Sequence, residues 1–223
     1  MTSVQLPLDF GHRASVEAWD FVPAPCNRDA LGWLGRYPDW PGPAVVLFGP
    51  EGSGKSHLAR IFAGGAGAQV LNPDALPEPA ALPRRSAWVL DPAEPVREEV
   101  ALLQLYNGLR EAGGHLLLTG RRPPADWAIR LPDLASRLRA APAVAIGPPD
   151  DALLSAVLVK LFADRQLKVA GDMISYMVAR MERSFAAAHR IVQALDARAL
   201  EHQRPITLGL VRQALQEAGQ DEN

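Results

Sequence analysis

Residues Gly49-Pro50-Glu51-Gly52-Ser53-Gly54-Lys55-Ser56 spell G-x-x-x-x-G-K-S, entered from Ala44-Val45-Val46-Leu47-Phe48 and followed by His57-Leu58-Ala59-Arg60-Ile61-Phe62. A loop that cradles phosphate must join a buried strand to the start of a helix, because converging backbone N–H groups and the helix dipole supply the field an anion needs. Both flanks provide that context. The glycines let the backbone close around a phosphate, Lys55 reaches the β and γ oxygens, and the Ser56 hydroxyl suits Mg²⁺. A plain glycine-rich turn before a helix is the competing reading, and the full motif in its strand-to-helix setting favours nucleotide binding, with positions 49 to 57 as the candidate contacts.

At 223 residues with 48% hydrophobic content, the chain can form one large domain or a domain with a smaller appendage. A formal charge of −2 argues against a protein that grips DNA through its phosphates, and sequence-specific DNA binding is not expected. The basic pairs Arg84-Arg85 and Arg121-Arg122 read as solvated loop charges. Cys26 is the single cysteine, so no internal disulfide can form, which suits a reducing compartment. No basic, apolar leader opens the chain, and no run approaches the ~20 apolar residues of a membrane span. A cytoplasmic location is expected.

In chain order, Trp19, Phe21 and Val22 read as a short extended piece, and Asn27 as the cap of a helix through Leu31 and Leu34. Prolines 38, 41 and 43 make a connection. After the loop helix, Gly64-Gly65-Ala66-Gly67 is expected to stop it, Ala68 to Leu71 to form a second strand, and Asn72 to Arg85 a surface excursion. Ala87-Trp88-Val89-Leu90-Asp91 is an apolar run ending in an acid, the pattern of a buried parallel strand that delivers a carboxylate to its C-terminal edge. Asp91 can there hold the Mg²⁺ water shell together with Ser56; a helix or turn cap is the plainer reading. Val96 to Ala112 reads as a helix and His115 to Thr119 as a fourth strand, with polar Thr119 at its end. Leu131 to Leu138 is a short helix, and Ala143 to Ile146 a fifth strand.

From Pro148 onward the pattern is helical. Leu153, Leu154, Val157, Leu158, Leu161 and Phe162 form one apolar face; Met173, Ile174, Met177, Val178 and Met181 form another. Ser184 caps a third helix with Phe185, Ala188, Ile191, Val192 and Leu195, and Thr207 a fourth with Leu208, Val211 and Leu215. The fold class expected is α/β, a P-loop base with a parallel five-stranded sheet and a C-terminal helical lid. The divisions expected are a tail over 1–14, a base over 15–149 and a lid over 150–223.

The tail carries apolar side chains at Leu6, Leu8 and Phe10 beside Pro7, which favours an extended form. Spacing leaves two readings open, docking into a partner's groove or an edge strand on its own domain. Gln5-Leu6-x-Leu8-x-Phe10 resembles the hexapeptide by which replication proteins dock on the bacterial β sliding clamp. P-loop, acid-ended strand, polar-ended strand, arginine-bearing helix and helical lid resemble the AAA+ order, in which Thr119 would match the sensor 1 position; a threonine that simply caps its strand is the other reading. Leu131-Pro132-Asp133-Leu134-Ala135-Ser136-Arg137-Leu138, Leu118-Thr119-Gly120-Arg121-Arg122-Pro123-Pro124, Leu102 to Leu109 and Gln203-Arg204-Pro205-Ile206-Thr207 resemble the Hda (HdaA) family of DnaA-related regulators of replication initiation.

The resemblance implies a protein that rides on the DNA-loaded clamp and makes ATP-bound DnaA hydrolyse its nucleotide, with ADP or ATP and Mg²⁺ as its own ligands. Arg137 falls where the family has its arginine finger, acting in trans on DnaA. DnaA itself has a further C-terminal helix-turn-helix domain, and this sequence ends at Asn223 without one. An isologous dimer through the N-terminal peptides is compatible with the sequence.

Two positions depart from the pattern. Pro92 stands where hydrolytic relatives place a second acid that orients water, so the chain's own ATPase activity is expected to be weak or absent. At the sensor 2 position stands Ala186, with Arg183 nearly a turn before and Arg190 just over a turn after. An autonomous P-loop ATPase such as a helicase loader, using Glu94 as base, and a clamp-binding assembly factor without trans-activation are the alternatives.

Overall fold

A computed structural model describes residues 23–202 and 206–218. The hexapeptide Gln5 to Phe10, the piece at Trp19, Phe21 and Val22, and Gln203-Arg204-Pro205 lie outside them. The described chain runs α1 (Arg28–Leu34), β1 (Ala44–Phe48), α2 (Lys55–Ala66), β2 (Gln69–Leu71), β3 (Ala87–Leu90), α3 (Glu99–Ala112), β4 (His115–Gly120), α4 (Pro132–Ala140), β5 (Ala143–Ala145), α5 (Asp151–Asp164), α6 (Gly171–Val178), α7 (Phe185–His202) and α8 (Leu208–Ala218).

All strand pairings are parallel, in the order β2-β3-β4-β1-β5. Because β4 is inserted between β1 and β3, the chain reverses its direction of growth beside β1, and the C-terminal strand ends there flank the P-loop. Parallel strands are covered on both faces, which is why their sequences run apolar without alternation. Ala44, Val46, Trp88, Leu90, Leu116 and Leu118 pack against Leu102, Leu105, Tyr106 and Leu109 of α3 and Leu134 and Leu138 of α4. On the opposite face Val45, Leu47, Val89, Leu117 and Val144 meet Ala30 of α1 and Leu58, Ala59 and Phe62 of α2. Helices α5 to α8 enclose a separate core of Leu154, Leu158, Phe162, Met177, Ile191, Leu195 and Val211.

One local expectation is sharpened and one is corrected. Helix α2 continues through Gly64 and Gly65 and ends at Gly67, whose φ of 62° and N–H bonded to the Ala63 carbonyl make a left-handed C-cap. Two interior glycines cost about 1 kcal/mol each relative to alanine, and burial of Leu58, Ala59 and Phe62 outweighs them. Asn27 does precede α1, but its side chain turns the other way, its Oδ1 accepting from Ala24 N–H at 2.8 Å. The caps at Ser184 and Thr207 form as read: Ser184 Oγ accepts from Ala187 N–H at 3.0 Å, and Thr207 Oγ1 from Leu210 N–H at 3.4 Å.

Candidate functional site

The P-loop leaves β1 at Phe48 and enters α2 at Lys55. Gly52 and Gly54 have φ of 72° and 92°, so the loop curls with a handedness that side chains with a Cβ resist. Gly52 is required for a second reason: a Cβ there would stand 2.4 Å from Ser184 Cβ. The start of α7 rests on the loop at this point, with Phe185 N–H donating to the Gly52 carbonyl at 3.1 Å. Lid and P-loop therefore touch through main chain, and the exposed Ala186 is the next residue of that helix.

Lys55 Nζ donates to the carbonyls of Gly49 at 2.9 Å and Pro50 at 2.7 Å, with Ser53 Oγ at 3.4 Å. Burial lowers its pKa from the ordinary lysine value and Arg121 adds to this, while Asp91 and Glu51 oppose it. An ammonium held on carbonyls and short of its normal hydration is well placed to gain from an oxyanion.

Asp91, Ser56 and Thr119 converge from three elements. Asp91 Oδ1 accepts from Ser56 Oγ at 3.1 Å and also from Thr119 Oγ1. Leu47 pairs with Thr119 in register, so β1 and β4 end level and their following residues meet. Among the described residues no group of three His, Cys, Asp or Glu could cage a metal. The Ser56 hydroxyl and Asp91 carboxylate instead fit Mg²⁺, which keeps most of its waters and takes one or two protein oxygens beside a ligand's phosphates.

Glu94 does something the sequence reading did not foresee. Its Oε2 accepts from the N–H groups of Arg121 at 2.8 Å and Arg122 at 3.0 Å, and its Oε1 from Arg122 Nε at 2.9 Å. The side chain is 9% exposed. Burial alone would raise its pKa, but the Arg122 amide and guanidinium and the Arg121 amide outweigh that and hold it below the ordinary glutamate value. Five residues on, Glu99 accepts from Arg130 N–H at 2.9 Å and Leu131 N–H at 2.7 Å. Between these clamps Trp127 is buried, its Nε1 donating to the Arg122 carbonyl at 2.8 Å. The path from Thr119 to α4 is thus pinned at both ends. The acid spacing in Glu94 and Glu99 was visible in the sequence; which amides they would meet was not.

Arg137 lies on α4, 22% exposed, with Nη2 donating to Asp133 Oδ2 at 3.1 Å. It is folded partly onto its own subunit. Its Nε is buried and has no acceptor among the described residues. The basic pair Arg121-Arg122 is engaged, Arg122 with Glu94 and Arg121 with Glu51. In the lid, Arg183 pairs with Asp151 at 2.9 Å and Arg190 with Glu182 at 3.2 Å. A cleft of about 450 Å³ lies elsewhere, between α1 and the edge strand β5, lined by Arg28, Trp33 and Arg36, and shares no residue with the P-loop site.

Residues 151–215 match the Hda lid domain family. Domain III of the Thermotoga maritima replication initiation protein DnaA is similar in structure, with a TM-score of 0.78 at 13% identity over 96% of this chain and 98% of that one. DnaA from Aquifex aeolicus, solved with AMPPCP bound, gives 0.61 at 14% identity over 81% and 65%. A RuvB variant from Thermotoga maritima gives 0.64 at 16% identity over 78% and 62%. At these identities the structural likeness establishes the fold. No described helix is long and apolar enough to cross a membrane. The chain thus carries an Hda-type lid domain over residues 151–215, and its fold is that of DnaA domain III.

Proposed function

We propose that this protein is a nucleotide-bound regulator of replication initiation, cytoplasmic, which docks on the β sliding clamp through Gln5, Leu6, Leu8 and Phe10 and stimulates ATP hydrolysis on DnaA. The observation that carries the reading is the joining of a complete P-loop base to an Hda lid in one chain. Lys55 and the loop amides hold the phosphates of ADP or ATP; Ser56 and Asp91 hold Mg²⁺ through its waters, and the ion supplies charge neutralisation. Thr119 keeps the Asp91 carboxylate in place. The segment around Cys26, whose carbonyl accepts from Gly147 N–H at 3.0 Å, passes beside the junction of base and lid, where the adenine ring would sit.

Own turnover is weak in this reading. Pro92 has no group that can orient water, and the Glu94 carboxylate is committed to two main-chain amides and a guanidinium. Arg137 serves another subunit's nucleotide: a guanidinium beside the transferring phosphoryl group can accelerate hydrolysis by about 10³- to 10⁵-fold. ADP is the resident ligand this arrangement favours, since the lid offers Ala186 where an arginine would meet a third phosphate.

The test mixes the protein with ATP-loaded DnaA, clamp on DNA and radiolabelled ATP. Hydrolysis that requires both partners and disappears in Arg137→Ala is the expected result. Vigorous turnover by the protein alone would make it an autonomous ATPase. Clamp binding without stimulation would leave an assembly factor.

A further inference from the structure

Arg183 and Arg190 of the lid are each paired with a lid carboxylate, and the cation that reaches the P-loop from the sheet is Arg121. Its Nη2 lies 2.6 Å from Glu51 Oε2, so the pair spans from the end of β4 to the tip of the P-loop. Lys55 feels both charges, Arg121 lowering its pKa and Glu51 raising it. Resting on the nucleotide-binding reading above, we infer that Arg121 reads the terminal phosphate of a nucleoside triphosphate in its own subunit, and that Glu51 is the anion it releases to do so.

Three observations carry this. The main chain at Arg121 is fixed, because its N–H and that of Arg122 both donate to the Glu94 carboxylate. The Arg121 side chain is 70% exposed and that of Glu51 77%, so the head groups can part while the backbone stays still. Arg121 also follows Thr119 by two residues, on the side where Asp91 and Ser56 gather the oxygen ligands that suit Mg²⁺.

Charge decides the exchange. An exposed ion pair between two long side chains contributes little. A terminal phosphate offers up to two negative charges and three acceptor oxygens to a planar guanidinium that can bind it bidentately. It therefore displaces the single Glu51 carboxylate, whereas a diphosphate stops at the loop and leaves the Glu51–Arg121 pair closed. The pair becomes a marker of nucleotide state beside the loop that α7 rests against.

Calorimetric titration of the full chain with ADP and with a non-hydrolysable ATP analogue, both with Mg²⁺, tests it. Loss of a charge-assisted contact is expected to lower the ratio of triphosphate to diphosphate affinity about tenfold in Arg121→Ala. Arg121→Lys should fall between, having lost the bidentate fork, and Glu51→Gln should raise the ratio by removing the competitor. Wild type binding both ligands with a ratio unmoved in Arg121→Ala would overturn the inference and leave the nucleotide site standing. Wild type binding neither ligand would overturn both. Melting curves of the free variants, expected within about 1 °C of wild type for such exposed positions, separate a lost contact from a lost fold.

Discussion

The guanidinium carbon of Arg137 stands 5.8 Å from the centre of the Tyr106 ring, so the α4 arginine proposed to act on a neighbouring subunit rests over an aromatic face of its own α3. The ring contact is worth about 0.5–1 kcal/mol and the Asp133 pair about 0.3–0.5 kcal/mol. The buried Nε without an acceptor offsets part of that. Release of Arg137 toward a partner thus costs no more than about 1 kcal/mol, small beside the gain from a transition-state phosphoryl group. Arg137→Ala is expected to lower stability by about 1 kcal/mol or less, and to lower stimulation of DnaA hydrolysis by about 10³-fold or more. A denaturant melt and the two-partner hydrolysis assay read the two effects separately. Stimulation persisting in the variant would remove Arg137 from the chemistry.

Asp91 is the acceptor shared by Ser56 and Thr119. Asp91→Asn keeps a similar shape and loses the charge that holds a divalent cation. Nucleotide affinity with Mg²⁺ should fall about tenfold, while affinity in EDTA should change far less. Equal losses in the two buffers would mean that Asp91 braces the strand ends and has no part in metal binding.

Gly64→Ala and Gly65→Ala should both stabilise. Each glycine is exposed within α2, and a Cβ at either would meet no atom within 4 Å. Reduced freedom of the unfolded chain contributes about 0.4–1 kcal/mol per site, or about 1–4 °C in a chain of this size. A lower Tm in either variant would show that the helix does not continue through these residues.

Glu94→Ala should destabilise by about 1–3 kcal/mol, because two amides and a guanidinium lose an acceptor that is itself nearly buried. Its folded pKa is held below the ordinary value of 4.5, so its contribution is present above that value and is lost as pH falls through the folded one. Acid melts below pH ~4.5 should therefore be shallower in Glu94→Ala than in wild type. If Glu94 were a general base instead, the variant would lose hydrolysis without losing stability.

His115 stands against the rings of Tyr37 and Trp40, and burial lowers its pKa below 6.5, with Asp39 and the Pro38 main chain opposing. Below pH 6.5 the unfolded chain binds the proton that the folded chain refuses, so stability falls as pH drops toward the folded pKa. Tm should decrease between pH 7.5 and 5.5, and His115→Gln should flatten part of that slope. An unchanged slope would show that His115 is not held neutral by the fold.

Much of the architecture was legible because short-range chemistry specifies it. The strand cores at Val45 to Leu47 and Leu116 to Leu118 are continuous apolar runs, and the P-loop needs a fixed order of glycine, lysine and serine to work at all. The stop of α2 falls at the far end of Gly64-Gly65-Ala66-Gly67, since propensity at Gly64 and Gly65 loses to burial of Phe62 just before them. Glu94 was weighed only as a base, because nothing along the chain announces that β4 will turn its Arg121 and Arg122 amides toward it.

The sequence by itself determined the loop, the order of strands and helices, and the polar residues that end β3 and β4, since each depends on neighbours a few positions away. Only the tertiary structure decided which carboxylate meets which donor: Asp91 with Ser56 and Thr119, Glu94 with the main chain after β4, Glu51 with Arg121, Arg137 with Asp133 and the Tyr106 ring. Most of those partners are separated by 25 residues or more along the chain. Hydrogen bonds and ion pairs act over a few ångströms, so their partners are chosen by the packing of the sheet and have no trace in local pattern.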